Sequence, residues 1–188
     1  MRLAITAGLA GAFLLGRGKA HGLALMEDTP EGAWRSFVAG FICLPAFLAI
    51  RFFAWADAGA PEGGVGRGLM AELIGYAIAW VAFALASLPI ARIWGRGADW
   101  PRFIAAWNWT NIVQYLALLA LTIPGALGLP AGVAQAATLV GLGYAVWLEW
   151  FVARTALRID GSKAALLVGM DLVLGLFLGG LIRTVSGG

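Results

Sequence analysis

Residues 69–91 read LMAELIGYAIAWVAFALASLPIA and carry one charged side chain, that of Glu72. As an α-helix this stretch would be about 34 Å long, at a rise of about 1.5 Å per residue. A hydrocarbon core of about 30 Å needs about 20 mostly apolar residues, so the stretch predicts a membrane-spanning helix. Four further stretches share its apolarity: 36–56, 103–123, 131–152 and 164–182. The sequence therefore predicts an all-α fold, a polytopic transmembrane helical bundle of about five spans.

The composition supports a lipid-facing exterior. Charged residues make up 12% of the chain and hydrophobic residues 61%, whereas soluble domains carry about 25% charged residues. The net charge of +3 comes from basic residues scattered between apolar runs, which argues against nucleic-acid binding. Cys43 is the only cysteine and His21 the only histidine. The sequence therefore argues against a disulfide framework, a zinc site or a Ser/His/Asp triad. We expect no metal, no cofactor and no enzymatic activity.

The connections between the spans predict the topology. Residues 124–130, PGALGLP, carry no charge and predict a tight turn that joins the third and fourth spans as a hairpin. Basic residues are unequally divided between alternate ends of the spans, and the short connections richer in Lys and Arg stay cytoplasmic. Ten lie on one side: Arg2, Arg17, Lys19, Arg35, Arg92, Arg96, Arg102, Arg154, Arg158 and Lys163. Three lie on the other: Arg51, Arg67 and Arg183. We therefore predict a bacterial inner-membrane protein with a cytoplasmic amino terminus and a carboxyl terminus outside.

The amino-terminal segment, residues 1–29, is predicted to precede the transmembrane domain of residues 30–188. Its apolar run of residues 3–15 is too short to span a bilayer and predicts a helix in the cytoplasmic interface. A signal peptide with a cleavage site at Gly18-Lys19-Ala20 is the alternative. Thr29 as a cap, Pro30 at the first helical position and Glu31 in the first turn predict that the first membrane helix begins near Pro30.

A set of polar side chains persists within the predicted spans, where burial in hydrocarbon is costly. They are Asn108, Asn111, Gln114, Glu149 and Asp171. By depth in the bilayer, we expect Asp171 to accept hydrogen bonds from Asn111 or Gln114, and Asn108 to lie nearer Glu149. Such groups either hold helices together or line a path for protons or a solute. Glu72, near the outer end of the second span, is expected to be solvated.

Gly175 and Gly179 form a GxxxG spacing in the fifth span. Small residues at this spacing let helix backbones approach closely. The pattern fits a dimer contact or a contact with another span of the same chain.

Two stretches carry a family resemblance: TPEGAWRSFVAGF before the first span and RFIAAWNWTNIVQYL at the third. With five spans, short loops and the predicted topology, they resemble bacterial relatives of the Yip1 family of small polytopic membrane proteins. The resemblance implies an architecture that acts through membrane partners without an established catalytic site, and no functional residues carry over.

Three functions are consistent with the sequence. The first is a non-enzymatic scaffold that associates with other membrane components, with the lipid bilayer, a membrane protein or a second copy as partner. The second is a small carrier or channel component that uses the polar cluster. The third is an accessory subunit of a larger membrane complex.

Overall fold

The structure, a computed structural model, describes residues 2–186, and its regular secondary structure there is helical, without strands. It confirms the all-α prediction. The helices are α1 (Arg2–Gly16), α2 (Pro30–Ser36), α3 (Val38–Ala58), α4 (Val65–Ile93), α5 (Trp100–Ala126), α6 (Ala131–Ala156) and α7 (Gly161–Ser186). Two short 3-10 helices, Ala20–Leu25 and Gly97–Asp99, precede α2 and α5.

Four helical segments are long and apolar enough to cross a membrane: Pro30–Ala58, Val65–Ile93, Ala131–Ala156 and Gly161–Ser186. They contain four of the five predicted spans. The remaining predicted span, 103–123, lies on α5, which is as long as these segments but less apolar. Two asparagines and a glutamine occupy positions 108, 111 and 114 of this helix.

The burial of α5 explains how it carries these polar groups. It packs against α1, α2, α3 and α6, and residues 103–110 are all buried. Because other helices surround this half of α5, its side chains meet protein rather than lipid. The helix at the centre of a bundle therefore needs less apolarity than helices at its edge.

The start of the first membrane segment follows the predicted capping pattern. The Thr29 side chain accepts a hydrogen bond from the Gly32 backbone N–H at 3.0 Å, and Pro30 occupies the first turn. The helix thus begins at Pro30, as predicted. A break at Phe37 separates the short α2 from α3.

The predicted tight turn at residues 124–130 is present, and it joins α5 and α6 as a helical hairpin. α5 ends at Ala126 and α6 begins at Ala131, with Gly128 in the left-handed region at φ +69°. Gly141 of α6 lies against Leu118 and Leu121 of α5, so the two helices pack side by side.

α1 is packed onto the bundle through glycines. A Cβ atom placed on Gly8 would lie 2.3 Å from Cε2 of Trp109 on α5, so only hydrogen fits there. At the other end of the helix, the Tyr144 hydroxyl of α6 donates to the Gly16 carbonyl at 2.8 Å. The predicted amino-terminal helix is thus present and docked against α5 and α6.

Candidate functional site

Carboxyl side chains on α6 and α7, two helices that pack together, influence each other electrostatically. Glu149 of α6 lies within electrostatic range of Asp171 of α7, and Tyr115 of α5 lies within range of Asp171 as well. Glu149 is 6% exposed, and its Oε1 atom has no hydrogen-bond partner among the described residues. The Trp107 indole is at hydrogen-bonding range of the same carboxyl group. The sequence placed both acids in one cluster but did not pair them.

The three amides have partners other than those we expected. Asn111 donates to the Trp107 carbonyl of its own helix at 2.9 Å, and Gln114 donates to the Ala145 carbonyl of α6 at 3.4 Å. Neither amide nitrogen donates to Asp171, so the expected hydrogen bonds to that residue are wrong. Asn108 faces the other way, because its Nδ2 donates to Ser36 Oγ of α2 at 2.7 Å.

Helix geometry accounts for this division. A spacing of three residues falls about 60° short of a full turn at about 3.6 residues per turn. Across two such steps, Asn108 and Gln114 point about 120° apart, toward different neighbouring helices. The polar stripe on α5 therefore serves separate contacts with α2 and α6.

Aromatic rings fill the interior next to the carboxyl pair. Phe83 of α4 stacks on Trp107 with ring centroids 4.5 Å apart, and Trp80 meets Trp107 edge to face at 5.7 Å. Phe103 adds a further edge contact with Phe83 at 6.0 Å. All four rings are buried. This part of the bundle is thus filled by side chains.

A second charged centre joins the two basic connections. Asp99 is 8% exposed and receives three guanidinium groups. Arg102 Nη2 lies 3.3 Å from its Oδ1, Arg96 Nη1 lies 3.9 Å from its Oδ2, and Arg158 binds both carboxylate oxygens. Arg102 also donates to the Ala156 carbonyl at the end of α6. Asp99 therefore links the loop between α4 and α5 to the loop between α6 and α7.

Asp160 begins α7 as an exposed cap. Its Oδ1 accepts the Lys163 backbone N–H at 2.9 Å and the Ser162 hydroxyl at 2.5 Å. These hydrogen bonds, led by that from Ser162, lower the pKa of the Asp160 carboxyl to about 2.

We expect the contribution of Asp160 to stability to vanish only in strong acid. The folded pKa lies below the unfolded one, so the stabilisation is complete above about pH 5 and is lost as pH falls through the folded value. The thermal midpoints of wild type and Asp160→Asn, followed by tryptophan fluorescence, should therefore differ by a constant amount between about pH 5 and pH 8 and converge toward about pH 2. A difference that persisted unchanged into that acid range would contradict this assignment.

At the opposite end of the bundle, Glu72 is buried rather than solvated, which corrects our expectation. Its Oε1 accepts a hydrogen bond from Arg51 Nε of α3 at 2.9 Å, and the Glu72 side chain is only 9% exposed. The ion pair joins α3 to α4.

The GxxxG glycines of α7 have no neighbour within the described part of the chain. A Cβ atom placed on Gly175 or Gly179 would meet no atom within 4 Å. The proposed contact with another span of the same chain is therefore wrong for residues 2–186. A contact with a second chain stays a prediction.

Residues 2–186 contain no group of three or more His, Cys, Asp or Glu side chains that could hold a metal ion. No family model, curated protein or solved structure matches this chain.

Proposed function

We propose that the protein crosses a bacterial inner membrane five times, with its amino terminus in the cytoplasm and its carboxyl terminus outside. Four crossings are supported by segments of sufficient length and apolarity. α5 supplies the fifth, because its polar half is covered by other helices. The arginines and lysines of the α4–α5 and α6–α7 connections support the orientation. α1, docked on α5 and α6, lies at the cytoplasmic interface.

In this membrane the bundle acts as a non-enzymatic scaffold that associates with other membrane components, as the resemblance to the Yip1 family implies. The aromatic packing around Trp107 is the observation that carries this proposal. Rings fill the centre of the bundle where a carrier or channel needs a wet passage.

Association can be tested through the two lysines, Lys19 and Lys163, which are the only lysines of the chain. We expect amine cross-linking in intact membranes to give a reproducible product larger than the 19.7 kDa chain. The control is the double variant Lys19→Arg and Lys163→Arg, which keeps the charges and removes both lysine amines. Monomer alone, under conditions that cross-link a known membrane complex, would count against a scaffold.

A specific observation favours a second candidate, a proton-carrying membrane protein. The buried Glu149 carboxyl has an unpartnered oxygen and lies within electrostatic range of Asp171, and carboxyl groups that interact in this way take up protons as a coupled pair. Ionisable groups at membrane depth commonly serve proton transfer.

Flux measurements separate the two candidates. Liposomes containing the purified chain and a pH-sensitive dye are exposed to a pH step, with Glu149→Gln and Asp171→Asn as variants of nearly unchanged size. The scaffold proposal expects all three proteins to leak protons at the rate of empty liposomes. A faster rate in wild type, lost in both variants, would replace it with the proton-carrying function.

A further inference from the structure

A cleft of about 300 Å³ opens between the ends of α3, α4 and α7, on the side where the carboxyl terminus lies. Its lining residues include Arg51, Trp55, Glu72, Gly179, Arg183 and Ser186. The rim is held in place by the loop before α4, since the Gly63 N–H donates to the Ser186 carbonyl at 3.0 Å. We call this the outer cleft.

The outer cleft carries unbalanced positive charge. Arg51 uses its Nε to bind Glu72, and its two terminal NH₂ groups donate to no other described residue. Arg183 is exposed and pairs with no carboxylate within residues 2–186. Two guanidinium groups therefore face one carboxylate, which leaves a net charge of about +1 and free donors for an anion.

Apolar side chains line the cleft beside the arginines. They are Ala54 and Ala58 of α3, Pro61 of the following loop and Ile182 of α7. Gly179 adds open space at the floor. Trp55, which packs edge to face against Phe52 at 5.6 Å, sits at the end of α3 where an indole is favoured at a headgroup layer.

We propose that the outer cleft binds the phosphate of an anionic phospholipid. The inference rests on the membrane placement proposed above. Arg183 and the free end of Arg51 hold the phosphate, because the planar guanidinium donates two parallel hydrogen bonds to phosphate oxygens. The acyl chains lie against the apolar part of the lining, Ala54, Ala58 and Ile182. This apolar lining favours a lipid over a free phosphate ion.

The test is lipid binding by the full-length chain. The purified protein is stripped of lipid in detergent and titrated with phosphatidylglycerol, with phosphatidylcholine or with inorganic phosphate, and bound ligand is counted by native mass spectrometry. Wild type should bind phosphatidylglycerol selectively. Arg183→Gln should weaken that binding about tenfold or more, since a charge-assisted hydrogen bond is lost. Arg51→Lys keeps a positive partner for Glu72 but loses the two parallel guanidinium donors. It should therefore weaken phosphatidylglycerol binding as well.

Arg67→Gln is the matched control, because Arg67 is exposed at the same end of the molecule and does not line the cleft. It should bind as wild type does. Equal binding of phosphatidylcholine, full competition by inorganic phosphate, or an unchanged Arg183→Gln would each overturn the proposal. Because detergent presents the lipid from every side, the outcome is independent of the topology and of the scaffold function.

Discussion

Asp99→Asn is expected to lower the free energy of unfolding by about 2–3 kcal/mol. Its side chain is 10% exposed and holds Arg96, Arg102 and Arg158 at once. Removing one partner of a buried ion pair costs about 3–5 kcal/mol, because the remaining charge is left without compensation. The arginine side chains are 27% to 62% exposed, so water screens part of that cost.

Cys43 provides the measurement. It is the chain's only cysteine and is 2% exposed, so a thiol-reactive fluorophore labels it only when the bundle opens. The midpoint of heat-induced labelling in detergent should fall for Asp99→Asn. Asp160→Asn is the matched control: the same change on the α6–α7 connection removes an exposed charge and should lower the midpoint much less than Asp99→Asn does. Equal midpoints for both variants would show that Asp99 does not stabilise the bundle.

The helices themselves could be predicted because hydropathy and the residues that begin and end a helix are local properties of the sequence. The predicted spans 69–91 and 131–152 lie within Val65–Ile93 and Ala131–Ala156. The real helices are longer, since helical turns continue past the apolar core. Pro30 and the 124–130 turn were likewise readable, as capping and turn chemistry involve residues close in sequence.

The partners of polar side chains could not be predicted from depth alone. Asn111 and Asp171 were placed at similar heights, but which helix faces which depends on rotation about each axis. That rotation is set by packing, for example by the rings of Phe83 and Trp107. Height without rotation therefore could not show which polar side chains face one another, and the expected hydrogen bonds to Asp171 were wrong.

The Arg51–Glu72 pair left a signal that was missed. Arg51 precedes the end of the first predicted span by five residues, and Glu72 follows the start of the second by three. Opposite charges at similar depth on consecutive antiparallel helices can form an ion pair. An Arg51–Glu72 pair was therefore a better prediction than a solvated Glu72. The Asp99–Arg158 pair was harder to predict from the sequence. The two residues lie in different loops, which are neighbours only in the folded bundle.

Gly8→Leu is expected to detach α1 from the bundle. A Cβ at this position would lie 2.3 Å from Cε2 and 2.5 Å from Cδ2 of Trp109, whose side chain is itself only 6% exposed and cannot easily move aside. Overpacking of this kind costs about 1–3 kcal/mol, and the whole leucine side chain places this variant at the upper end. Because α1 packs on the bundle mainly through α5, the cost should appear first as local opening of α1.

Trypsin reports that opening, since Arg17 and Lys19 follow α1 directly. Cleavage there should accelerate in Gly8→Leu, and the Cys43 labelling midpoint should fall with it. Gly175→Leu is the matched control, because a side chain at that position of α7 meets open space and also replaces glycine by a better helix former. It should neither lower the midpoint nor accelerate cleavage. If the two leucine variants behaved alike, close packing of α1 on Trp109 would not be what fixes the amino-terminal helix to α5.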